Sequence, residues 1–172
     1  TGTIKTQLVG EYNLPNVLLA VTVGKYFRVP EDKIKQALEA YTPSNSRSQL
    51  IEKGSNRIIL DAYNANPSSV EMALKTVEGM AGKKWIILGD MFELGAYEAS
   101  EHQSVAKLCD AVVNSEAILV GKAFAATTGT RSHKFADKQQ ALEFVEHLDI
   151  KDCLILIKGS RGMKMEDFLP LV

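Results

Sequence analysis

Residues 60–70 read LDAYNANPSSV, an apolar strand end that runs into the start of a helix. The apolar run Ile58-Ile59-Leu60 stops at Asp61, two asparagines flank Ala65, and Pro67, Ser68 and Ser69 follow. A strand that halts at an acid and passes through small polar residues into a helix is half of a βαβ unit. Asn64 or Asn66 can cap that helix, with Pro67 in its first turn, where a fixed φ costs nothing. Asp61 falls where a strand delivers its side chain to the rim of a sheet, either to cap loop amides or to meet a ligand.

The same alternation continues downstream. The spacing predicts helices over 67–80, 97–110, 122–128, 137–148 and 162–169, and strands over 84–88, 117–120, 134–136 and 153–157. Strands such as AILV and CLILI, and KWIIL after its first residue, are apolar throughout, as parallel strands covered on both faces must be. QLIEKGSNRIILDAY, upstream, reads as two short strands joined at Gly54-Ser55-Asn56. The expected fold class is α/β, a Rossmann-like, mostly parallel sheet flanked by helices.

Two helices precede it. Residues 13–26 carry apolar residues spaced for one buried helix, and EDKIKQALEAY follows Pro30 with Ile34, Ala37, Leu38 and Tyr41 on one face. TPSNSRS, residues 42–48, is polar and reads as a linker and hinge. The boundary is placed between 1–45 and 46–172.

Composition narrows the partners. Of 172 residues, 45% are hydrophobic and 24% charged, with a net charge of −1. No basic stripe suggests a nucleic-acid polymer, and no apolar run has the length of a membrane span. Cys109 and Cys153, in a predicted helix and strand, read as buried reduced thiols because no metal-binding spacing accompanies them. His102 falls on a polar helix face and reads as solvated. His133 and His147 read as surface residues, and Met163 and Met165 as packing.

Ligands of open α/β sheets bind beyond the carboxyl ends of the strands. Five loops fall there: 61–66, 89–95 (GDMFELG), Gly121-Lys122, 136–138, and KGSR at 158–161. Asp90 and Glu93 are either site acids or solvated turn acids. Lys158, Ser160 and Arg161 surround a tight turn at Gly159, which suits an anion or a carboxylate. No GxxxxGK[ST] phosphate loop, GxGxxG or serine elbow occurs. By its residues alone, the chain is a rim of polar loops without catalytic machinery of its own.

Together, LVGEYNLPN (8–16), DAYNANP (61–67), GDMFELG (89–95), FADK (135–138) and KGSR (158–161) resemble the Mur ligases of peptidoglycan synthesis. The resemblance runs in order over nearly the whole chain. YNANP with GDMxELG marks the member that adds D-alanyl-D-alanine, and the Asp-Asn-Pro-Arg string of the sibling that adds diaminopimelate is absent. The resemblance implies that residues 1–45 end a central ATPase domain and that 46–172 form the C-terminal domain. It implies a cytoplasmic, monomeric ATP-dependent amide ligase that joins D-alanyl-D-alanine to UDP-N-acetylmuramoyl-tripeptide through an acyl phosphate. Magnesium and the phosphate loop would be held mainly outside this chain, which alone would be inactive.

The resemblance also assigns residues. Asn13 and Asn16 would contact adenine, with Tyr12 standing where the family often has His. Arg47 would hold phosphate, and Asp61 the ribose or a charged partner. Tyr63, Asn64 and Asn66 would face the cleft. Asp90, Glu93, Leu94, Lys158, Ser160 and Arg161 would recognise the dipeptide and the peptide end of the nucleotide substrate. Two other readings stand beside this one, a free-standing nucleotide- or anion-binding α/β module and a sibling ligase such as a folylpolyglutamate synthetase.

Overall fold

The computed structural model describes residues 3–43 and 46–172. Six strands form one sheet: β1 (Gln49–Lys53), β2 (Asn56–Asp61), β3 (Lys83–Gly89), β4 (Ser115–Val120), β5 (His133–Phe135) and β6 (Cys153–Lys158), in the order β1-β2-β6-β3-β4-β5. Every pairing is parallel except β1 with β2. That exception is the expected hairpin, turned at Gly54, whose φ of 60° favours a residue without Cβ. The helices are α1 (Leu14–Tyr26), α2 (Glu31–Ala40), α3 (Pro67–Glu78), α4 (Glu98–Ala111), α5 (Lys122–Ala125) and α6 (Lys138–Glu146).

Alternation along the strands explains why they are apolar throughout. Ile59, Ile86, Leu88, Leu119, Leu154 and Leu156 enter one core with Val70, Leu74 and Val77 of α3 and Val105 and Cys109 of α4. Ile58, Leu60, Ile87, Ile118, Ile155 and Ile157 enter a second core, with Ala141 and Val145 of α6 and Phe168. Both faces are therefore covered, as βαβ crossovers require.

Three expectations are corrected. The helix predicted over 162–169 is two 3-10 segments, Arg161–Met163 and Met165–Leu171, because Lys164 adopts a left-handed φ of 49° between them and Pro170 interrupts the second. The helix predicted over 122–128 stops after Ala125. The helix predicted as buried over 13–26 has no buried residue, and Leu14, Leu18 and Leu19 are all more than half exposed. α1 contacts α2, where Gly24 lets Ile34 approach, but too little of the described chain surrounds it to bury it. The boundary expected between 45 and 46, and part of the 42–48 linker, falls on residues 44–45, which lie outside the described residues.

Candidate functional site

Strand register brings the predicted loops to one edge. Asp61 lies opposite Lys158 in the β2–β6 pair, Leu88 lies opposite Lys158 in the β3–β6 pair, and Gly89 lies opposite Val120. The carboxyl ends of β2, β6, β3 and β4 are thus flush. Gly89 and Gly159 allow this closeness, since a Cβ on either would collide with the buried side chain of Met165.

Asp61 is the hub. Its Oδ2 accepts from Lys158 Nζ at 2.6 Å, and its Oδ1 accepts from the Ser48 backbone N–H at 3.1 Å. Ser48 Oγ in turn shares a 2.8 Å hydrogen bond with Tyr12 Oη. Burial, the largest cause, pushes the Tyr12 phenol upward, aided by the Asp61 charge and opposed by the Ser48 hydrogen bond. Ser46 and Ser48 hold positive φ values of 55° and 47°, so Asp61 secures a loop in a conformation serine rarely adopts. Arg47 lies inside that loop. Its guanidinium sits over the Tyr63 ring at 3.7 Å, and that of Arg161 approaches the same ring at 5.9 Å. Two exposed cations and one aromatic face therefore converge beside Asp61.

Some predicted site residues point elsewhere. Lys158 is only 2% exposed, and its ammonium is committed to Asp61 and to the Asn64 carbonyl at 2.8 Å. Asp90 is also turned inward, accepting from the amides of Ala123 and Phe124 at 3.0 and 2.9 Å. Each bears on the rim through what it holds. Asn66 caps α3, its side chain accepting from the Ser69 amide in a reciprocal capping box. Asp137 caps α6, its side chain accepting from the Gln139 and Gln140 amides. Leu94 packs against the first core. Glu93 is exposed at a φ of 64°, and Asn64 and Arg161 are exposed at the rim. Ser160 Oγ accepts from the Phe92 amide at 3.1 Å and ties GDMFELG to KGSR. Asn13 donates to the Val9 carbonyl at 2.8 Å, and Asn16 donates to Asn13 Oδ1 at 3.4 Å.

His102 requires the clearest correction. It is wholly buried, not solvated. Nδ1 donates to the Glu98 carbonyl at 2.7 Å, which leaves Nε2 to accept from the Met91 amide at 3.0 Å. The neutral Nδ1–H tautomer satisfies both bonds. Residues 98–111 look polar because α4 exposes most of its surface, while His102 turns into the core beside Phe124. Ser48 is a further component of the site that no motif revealed, and it joins Tyr12 to Asp61. Among the described residues, no group of three or more His, Cys, Asp or Glu could hold a metal ion. Nor is any described helix long and apolar enough to cross a membrane.

A family model described as "Mur ligase, glutamate ligase domain" matches residues 46–161. The UDP-N-acetylmuramoyl-tripeptide–D-alanyl-D-alanine ligase of Bacillus subtilis (strain 168) is 34% identical over 94% of this chain and 38% of its own length. The enzyme of the same name from Escherichia coli (strain K12) is 31% identical over 93% of this chain and 36% of its own. Among solved structures, a UDP-N-acetylmuramoylalanyl-D-glutamyl-2,6-diaminopimelate–D-alanyl-D-alanyl ligase from Acinetobacter baumannii superimposes with a TM-score of 0.85 at 28% identity. That superposition covers 97% of this chain and 37% of the other. A MurF ligase from Thermotoga maritima, crystallised with ADP, has a TM-score of 0.80 at 20% identity over 95% of this chain and 38% of that one, which speaks to the fold alone. The chain thus spans well under half the length of the curated relatives it matches. A domain match across 46–161, joined to relatives above 30% identity over nearly the whole chain, places this protein in the Mur ligase family.

Proposed function

We propose that this chain is the C-terminal portion of an ATP-dependent ligase that joins D-alanyl-D-alanine to UDP-N-acetylmuramoyl-tripeptide. The observation that carries the reading is the convergence of Arg47, Asp61 and Tyr63 at the end of β2, beside Ser160 and Arg161 at the end of β6. It is a rim built for anions that lacks a phosphate loop. Residues 1–45 belong, in this reading, to the preceding ATPase domain, and a part outside this chain supplies the phosphate loop. The exposed face of α1 suits that arrangement.

In the reaction, an oxygen of the tripeptide carboxylate attacks the γ-phosphorus of ATP, ADP leaves, and an acyl phosphate forms. The dipeptide amine then attacks the acyl carbon, sheds its protons, and the tetrahedral intermediate collapses to the amide with release of phosphate. This chain's residues bind and orient. Arg47, already stacked on Tyr63, offers a guanidinium to phosphate at little further entropic cost. Asp61 keeps lone pairs free on both oxygens for a ribose hydroxyl, despite its two present donors. Ser160 and Arg161 suit a free carboxylate. Asn13 and Asn16 face adenine, and Tyr63, Asn64, Asn66, Glu93 and Leu94 border the cleft. Asp90 serves by fixing the GDMFELG loop. Magnesium, when bound, neutralises phosphate charge, and no described residue is assigned to it. The enzyme is taken as cytoplasmic and monomeric. A likeness to a folylpolyglutamate synthase, at a TM-score of 0.70 and 16% identity, supports only the shared fold.

The test uses the full-length protein. A charge-assisted contact contributes about 1.5–3 kcal/mol, so Arg47→Ala and Asp61→Asn should each raise the KM for ATP at least about tenfold. Wild-type KM and turnover in both variants would overturn the reading. The 172-residue chain alone should turn over no ATP.

A further inference from the structure

We propose that Lys158 is the positioning residue of the nucleotide contact, acting through Asp61 and touching no substrate itself. The inference rests on the reading of Asp61 as a nucleotide contact. β6 is the strand between β2 and β3, so its last residue is flanked by a paired strand on each side. Side chains two apart on a strand share a face, and Lys158 follows Leu154 and Leu156 while Asp61 follows Ile59, all three of these apolar residues belonging to the core under α3. The two charges therefore emerge on the same face of neighbouring strands, in direct register.

The ammonium has two assigned bonds, 2.6 Å to Asp61 Oδ2 and 2.8 Å to the Asn64 carbonyl. Those two acceptors belong to one loop, the one that carries Tyr63. With Oδ2 pulled onto Lys158, Oδ1 is turned toward the Ser48 amide, one residue beyond Arg47. A single buried cation thus sets the Asp61 carboxylate, the Tyr63-Asn64 backbone and, through Ser48, the loop that presents Arg47. An ammonium that met a substrate directly would need open space, and at 2% exposure Lys158 has almost none. A buried charge is tolerated when paired and costly when its partner is removed, so the pair acts as a unit.

The experiment compares Lys158→Met, Asp61→Asn and the double variant in the full-length protein, measuring KM separately for ATP and for D-alanyl-D-alanine. The expected result for Lys158→Met is a rise of about tenfold or more in the KM for ATP, with that for the dipeptide within about twofold of wild type. The double variant should be no worse with ATP than Asp61→Asn, because Asp61 is the nucleotide contact that the ammonium holds directly, and the Asn64 carbonyl it also binds is not one. A rise confined to the dipeptide KM would make Lys158 a substrate contact and overturn the proposal. If Asp61→Asn impairs ATP use and Lys158→Met does not, the proposal fails while the role of Asp61 stands. If Asp61→Asn leaves ATP use intact, the role of Asp61 fails, and the inference with it. Should Lys158→Met fail to fold, the double variant, which removes both charges together, still decides. ATP use equal to that of Asp61→Asn supports the proposal, and poorer use overturns it.

Discussion

The guanidinium of Arg47 rests on the ring of Tyr63, 3.7 Å from its centroid, although the two residues lie in different loops. Tyr63 is 41% exposed, so the contact is a surface one. A cation over an aromatic face at an exposed site contributes about 0.5–1 kcal/mol. Tyr63→Leu should therefore raise the KM for ATP about two- to fivefold, while Tyr63→Phe, which keeps the ring, should leave it near wild type. Equal KM values in the leucine and phenylalanine variants would show that the stacking does not prepare Arg47.

His102 holds the loop of Asp90 and Met91 to α4 through both ring nitrogens. His102→Ala would leave the Met91 amide buried without its acceptor and open a cavity beside Phe124. The expected loss is about 2–4 kcal/mol of stability, read from the midpoint and slope of urea unfolding. A loss below about 0.5 kcal/mol would fit a surface histidine instead.

Gly121 sits at a φ of 123°, and a Cβ there would occupy the position of the Asp90 carboxyl group. The backbone strain and the displaced carboxylate act in the same direction. Gly121→Ala should cost about 3 kcal/mol or more, also measured by denaturant unfolding. A neutral Gly121→Ala variant would mean that Asp90 does not cap α5 in solution.

Cys109 is wholly enclosed, and burial, with the Asp110 charge adding to it, pushes its thiol up to about 12. Its folded value is thus raised above the ordinary 9.0. Between those two values the unfolded thiol loses its proton and the native one keeps it. Its contribution to stability is fully present below pH 9 and is lost as pH rises toward 12. The slope contributed by this one thiol approaches about 1.4 kcal/mol per pH unit, and Cys109→Ala should flatten the alkaline limb accordingly. Native protein at pH 8 should also resist thiol reagents at Cys109, and rapid labelling there would contradict the burial.

Local chemistry was legible in the residues themselves. The apolar runs of β3, β4 and β6 announced strands covered on both faces, and Asn66-Pro67 announced a cap, because both depend on neighbours within a few positions. The polar loops at the strand ends were legible for the same reason. What escaped was the direction in which charges point. Lys158 reads as a rim cation in KGSR, yet its side chain is buried, and its partner Asp61 stands 97 residues earlier. Asp90 reads as a site acid, yet the amides it meets belong to α5, 33 and 34 residues away. His102 reads as solvated on a polar helix, yet its acceptor nitrogen meets an amide from the β3 end. Which residues reach the rim is written in the order of the amino acids, since strand period and turn chemistry are local. Which of them face outward depends on the folded chain, because a buried charge or imidazole is stable solely where distant backbone and counter-charges arrive to satisfy it.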